Sequence, residues 1–184
     1  EDGMESCLFK EEKITQIASL IIKLHQGSIE YSKLIKLLYI VDRSALLKWG
    51  SPSTYDDYIL TKCGFVLTNT LDIIEGRLES KDFWNVYISE PDCCEVKLLQ
   101  TCPTSQLSKA EVDLIEEVFR EHGYKSNLAL TEEHYKFSGW RDFQSLPLQI
   151  TYWDILKAEG KLEEEIKAIE EELEHFEFVH QLLS

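Results

Sequence analysis

The stretch Tyr31–Trp49 constrains the fold of this chain more than any other. Leu34, Leu37, Leu38, Val41, Ala45 and Leu46 recur at helical spacing, and Ile35 and Ile40 extend the apolar surface to further sides. A helix that is apolar around most of its circumference belongs in the middle of a structure, so other elements have to be wrapped around it. Its polar positions are held by Lys33, Lys36, Asp42 and Arg43, and Gly50-Ser51-Pro52 stops it. A chain of 184 residues is the length of about one domain and can bury a core without metal or disulfides.

The flanking segments supply partners for that helix. Ile14, Ile17, Ala18, Ile21 and Leu24 predict an amphipathic helix over residues 11 to 26, ended by Gly27-Ser28. Residues 51 to 70 read as irregular or only briefly regular, with Gly64 at a turn. A short helix is expected over Thr68 to Gly76. Two strands, Trp84 to Ser89 and Glu95 to Thr101, are expected to form a hairpin about Pro91-Asp92, on their Val, Ile, Trp and Tyr content. Ser108 with Glu111 is a capping box that starts a helix buried through Val112, Ile115, Val118 and Phe119 and closed by Gly123. One or two shorter helices are expected between Ser126 and Phe137, and Thr151 with Asp154 starts another that ends at Gly160. The fold class expected is mostly α (α+β): a compact helical domain with a small β-hairpin and an acidic amphipathic C-terminal helix.

That last helix, Lys161 to Leu183, carries Leu162, Ile166, Ile169, Leu173, Phe176, His180 and Leu183 in steps of four and three. Such a repeat is either a coiled-coil seam or the face of a helix docked on its own domain. Glu163, Glu164, Glu165, Glu170, Glu171, Glu172 and Glu174 fill its polar side, offset only by Lys161 and Lys167. Leu162, Ile166, Ile169, Leu173 and Phe176 are therefore the candidate partner-binding residues, with a homodimer through the same helix as one use of them. Three parts are expected: a tail over residues 1 to 10, in which Glu1 to Gly3 read as an added remnant ahead of Met4, a domain over 11 to 160, and the acidic helix over 161 to 184.

Charge narrows the partners. With 34 acidic and 19 basic residues the net charge is −15, which disfavours direct nucleic-acid binding and favours a basic protein partner. No apolar run reaches the ~20 residues that span a bilayer, and no basic-then-apolar start marks a signal peptide. Cys7, Cys63, Cys93, Cys94 and Cys102 are odd in number and irregular in spacing, as reduced thiols in a cytoplasm are, and read as small apolar filler. They lack the spacing of a structural zinc site, and His175 and His180 point to different faces of a helix. No phosphate-binding loop, nucleophile elbow or H-E-x-x-H occurs. Tyr39, Asp42 and Arg43 cluster at i, i+3 and i+4, which reads as a structural ion pair. No catalytic, cofactor-binding or metal residue is assigned, and an enzyme has no residue to rest on.

Read as a string, Lys33-Leu34-Ile35-Lys36-Leu37-Leu38-Tyr39-Ile40-Val41-Asp42-Arg43 resembles the K-L-x-K-L-L-Y-x-x-D-R helix of the Panacea (SocA-like) antitoxin domain family. Gly50, Pro52, Thr54, Asp57 and Tyr58 are similar to its next element, and Gly64-Phe65-Val66 stands where the family has Gly-Pro-Val, followed by Asn69 and Gly76. Leu107-Ser108, Thr131, His134, Trp140 and the run from Ile150-Thr151 through Ile155 to Lys161 continue the likeness over most of residues 13 to 161. Phe65 in place of proline leaves that turn less restrained. The family-motif residues Lys36, Tyr39, Asp42, Arg43, Pro52, Asp57, Tyr58 and Gly64 are expected to be architectural.

The resemblance implies a mostly helical domain with a small β element that neutralises a toxin encoded beside it. The partner it implies is a cognate toxin, and one family member acts as an adaptor presenting its toxin to a protease. The acidic C-terminal helix, outside the best-matched block, is where partner choice is expected to lie. A phage or mobile-element regulator, binding a host protein by acidic mimicry of nucleic acid, is the alternative that the charge alone allows.

Overall fold

The computed structural model describes residues 8–78, 82–138 and 145–184. Eight helices and five short strands are assigned among them, so the mostly helical class with a minor β component holds. Cys7, Met4 and Trp140, named above, lie outside the described residues.

The all-round apolar helix is the centre of the molecule. It is α2, Tyr31–Trp49, and every residue from Leu34 to Asp42 is buried. Around it pack α1 (Glu11–Leu24), α3 (Thr68–Ile74), α5 (Lys109–His122), α6 (Asn127–Ser138) and α7 (Tyr152–Ala158), with strands β1 (Ser28–Glu30) and β3 (Gly64–Leu67). Two of these outer helices start as their sequences dictate. Ser108 Oγ accepts from the Glu111 N–H while the Glu111 carboxylate accepts from the Ser108 N–H at 3.1 Å, and Thr151 and Asp154 do the same for α7.

The β structure differs from expectation in two places. The segment read as irregular contains a hairpin, β2 (Tyr58–Thr61) paired antiparallel with β3, and β5 (Leu148–Ile150) adds to the other edge of β2. Four-residue strands whose turn lacks an Asn-Gly or Asp-Gly pair carry little local signal. The hairpin expected at residues 84 to 101 is not formed as such. Trp84–Tyr87 is a helical turn, α4, and β4 (Glu95–Lys97) pairs instead with the distant β1, leaving one Ile88–Leu98 bridge. The cause is tertiary: the Glu11 carboxylate of α1 accepts from the Phe83 and Trp84 N–H groups at 3.2 and 3.1 Å, capping the turn from outside, and Trp84 is buried.

Three of the cysteines are not core filler. Cys63, Cys93 and Cys94 are exposed, and Cys93 and Cys94 adopt left-handed backbone at the tip of the Asp92–Glu95 turn. The reading of Lys36 and Asp42 as polar-face residues is likewise corrected, since both are buried within α2.

The β2–β3 turn is closed against α6 by Thr131 and Tyr135, whose hydroxyls donate to the Cys63 and Thr61 carbonyls at 3.2 and 3.1 Å, and by His134. Gly64 has φ +103°, and a Cβ there would lie 2.9 Å from His134 Nδ1. Gly64→Ala therefore combines a backbone that L residues avoid with a clash against a buried ring, whereas Gly27 at φ +96° has open space around it. In urea unfolding, Gly64→Ala is expected to cost about 2–4 kcal/mol and Gly27→Ala about 1 kcal/mol. Equal losses at the two sites would show that the His134 contact does not hold the turn.

Candidate functional site

Most of the family-motif residues converge on the interior, among them Lys36, Tyr39, Asp42 and Tyr58. Asp42 projects from α2 into the segment that follows it. Its Oδ1 accepts from the Ser53 and Thr54 N–H groups, both at 2.9 Å, and its Oδ2 accepts from the Thr54 and Tyr58 hydroxyls, the latter at 2.6 Å. Burial pushes the Asp42 carboxyl up, and these four donors oppose that by stabilising the anion. The Asp42–Arg43 pair expected from their adjacency is not made. Arg43 turns the other way, bonding Glu159 and stacking its guanidinium 4.0 Å over the Phe137 ring.

A second buried carboxylate repeats the pattern. Asp56 accepts from the Asp57 and Asn69 N–H groups at 2.8 and 2.9 Å, and from the Thr70 N–H and hydroxyl at 3.0 and 2.6 Å. The Asn69 and Thr70 amides are orphan donors at the start of α3, whose preceding residue, Leu67, cannot cap it, so Asp56 caps that helix from a distance. Burial raises the Asp56 carboxyl to about 6 against the pull of those donors. Of the neighbouring motif residues, Pro52 and Tyr58 are buried, while Asp57 is exposed and uses its backbone carbonyl to accept from the Thr68 N–H.

The third cluster joins α2, the hairpin and α6. Tyr39 stacks on Phe65 with ring centroids 4.0 Å apart and meets Tyr58 edge-on at 5.6 Å. The Phe65 N–H donates to His134 Nδ1 at 3.0 Å, which places the His134 proton on Nε2, facing the Lys36 carbonyl at 3.1 Å. Phe65 thus contributes a donor that a proline lacks, so the turn is restrained by this bond and by ring stacking. Lys36 donates to Asn127 Oδ1 at 2.7 Å, and burial lowers its ammonium pKa. In these clusters the carboxylates and the imidazole accept from the protein's own donors. Among the described residues no three Cys, His, Asp or Glu side chains group as a metal would require, and no helix is long and apolar enough to cross a membrane.

The remaining candidates lie on α8, Glu163–Leu183. Glu165 Oε2 accepts from the Leu162 N–H at 3.0 Å, which caps its first turn. Ile166 is fully buried, Ile169 sits over Gly50, whose absent Cβ would be 3.6 Å from its Cγ1, and Leu173 packs on the core edge. Leu162 and Phe176 are exposed, although one face of Phe176 stacks on Tyr55 with centroids 6.3 Å apart. The five seam residues are thus divided, with the middle three turned toward the chain's own domain. Two large exposed apolar residues, Phe178 and Leu182, stand outside that seam. Their signal in the sequence is an i, i+4 pair, overshadowed by the longer heptad beside it.

The described residues thus form an α-rich scaffold with hydrogen-bonded buried carboxylates and an acidic, partly apolar outer helix. The chain belongs to the antitoxin SocA-like, Panacea domain family: the family model matches residues 34–141, more than half of its length, and takes in α2 from Leu34 onward, both buried carboxylates and His134. No curated protein and no solved structure matches it.

The buried imidazole makes a pH prediction. His134 is held near a pKa of about 3, below its free value of 6.5, because burial penalises the cation. The unfolded chain therefore takes up a proton that the fold excludes, and stability is lost as pH falls below 6.5. Between pH 7.5 and 5 this amounts to about 2 kcal/mol. His134→Gln should be less stable at pH 7.5, with its deficit shrinking by about that amount at pH 5, as read by urea unfolding at both pH values. A deficit constant with pH would mean that the ring takes up protons within the fold.

Proposed function

We propose that the protein is an antitoxin-type module that neutralises a cognate toxin by binding it directly, with the acidic helix α8 as its contact. Family membership supports the antitoxin role, and the observation that carries the contact is on α8 itself. That helix exposes Phe176, Phe178, Leu182 and Leu183, with Leu162 exposed just before it, alongside a dense run of glutamates, while the family-motif residues Lys36, Tyr39, Asp42, Tyr58 and Gly64 are buried. Large apolar groups ringed by carboxylates suit a partner surface that is apolar at its centre and basic at its rim. The interior supports this reading by holding one rigid platform for α8. Cofactors have no part in it, and the work is done by binding, not catalysis.

The experiment is co-expression with the product of the adjacent open reading frame, followed by purification of the complex and titration of the two proteins. A complex is expected, weakening as salt rises from 50 to 500 mM, since exposed charge pairs are screened. Replacing Glu170, Glu171 and Glu174 by glutamine should weaken it about 5- to 30-fold, three rim contacts of up to about 1 kcal/mol each at most. In cells, an unchanged level of the bound toxin corresponds to occlusion, and a falling level to delivery to a protease. Failure of the two proteins to associate, with the toxin still active beside this chain, would refute the proposal.

A further inference from the structure

Phe178 and Leu182 are not accounted for by packing within the chain. At ~100° per residue, Phe178 lies ~180° around α8 from Ile169, and Leu182 lies ~160° from Ile166. Ile169 and Ile166 face the domain, so Phe178 and Leu182 face away from it. They are 57% and 70% exposed, and their spacing stacks them as one apolar ridge about a turn long. Isolated exposed apolar side chains are ordinary, but a Phe–Leu pair on the outward face of an otherwise Glu-rich helix is a local patch.

Its surroundings define what it can take. Glu174 lies one turn before Phe178, Glu171 two turns before it, and His175 a turn before on the other flank, all exposed. The outward face earlier in the helix carries Glu164 and one basic residue, Lys167, which already lies 4.0 Å from Glu171. The ridge is therefore bordered by carboxylates and sits on a chain of net charge −15. A second copy would bring a like-charged helix against it, and two such chains repel. A groove with an apolar floor and lysines or arginines along its rim complements it in both respects.

We infer that the outward face of α8, through Phe178 and Leu182, is the anchor by which the protein inserts into an apolar, basic-rimmed groove on its partner, and that the inward seam Ile166, Ile169 and Leu173 serves only to fix the helix to the domain. This rests on the binding role proposed above and names the residues and the partner chemistry. The exposed pair then acts as the hot spot, and the glutamates contribute steering and orientation.

The probe is the adjacent open reading frame's product, titrated calorimetrically against the full chain and against F178S/L182S. Loss of an apolar anchor of at least 2 kcal/mol is a weakening of about 30-fold, and that is expected, with the thermal midpoint of the free variant unchanged because both side chains are exposed. Equal affinity of the two proteins would overturn this inference while leaving direct toxin binding intact. No binding by either would overturn both. A fall of several degrees in the variant's midpoint would assign the pair to the fold instead. Light scattering supplies the remaining outcome: a wild-type dimer that F178S/L182S dissolves would give the face to a second copy and refute the partner assignment.

Discussion

The Asp42 carboxylate is the interaction on which the rest of the structure depends. It sits on the central helix with 1% exposure, and a charge there is tolerable only because four donors converge on it. Those donors come from residues 53–58, so one side chain sets the path of the chain as it leaves α2. The same path delivers Asp56 to the start of α3 and Tyr58 into β2. Because a buried unpaired carboxylate or amide costs several kcal/mol, the loop and the helix specify each other.

His134 plays the matching role at Lys36, earlier along α2. One ring nitrogen accepts from the hairpin and the other donates to α2, so a single neutral side chain joins three elements. Gly64 is required beside it by space as much as by backbone angle. These buried polar contacts tie α2, the hairpin and α6 to one another. The Asp42, Asp56 and His134 acceptors are taken up by the chain's own donors, whereas α8 has both apolar area and charge exposed.

Much of this was legible in the chain's own pattern. The periodicity of residues 31–49 located α2 and its central position, and the Ser108–Glu111 and Thr151–Asp154 pairs marked helix starts because capping is decided within four residues. What local pattern could not show was fixed by distant partners. The helical turn at Trp84 depends on Glu11, the pairing of β4 on β1, and the geometry of Asp42 on a loop that reads as irregular. The Asp42–Arg43 pair looked natural at adjacent positions, but a carboxylate offered backbone amides and hydroxyls inside the core is better satisfied by them than by a guanidinium drawn toward Glu159 and Phe137. On α8 the heptad was visible as a pattern, and its division into docked and outward parts was not, since that depends on where the domain lies.

In the function proposed, recognition falls to the outer surface of α8 and the interior holds the fold. Hydrogen–deuterium exchange of the chain, free and saturated with the adjacent gene's product, tests that division most directly. Protection gained on binding should be confined to peptides covering residues 170–184, with residues 39–70 unchanged. Protection across 39–70 with α8 unaffected would contradict it.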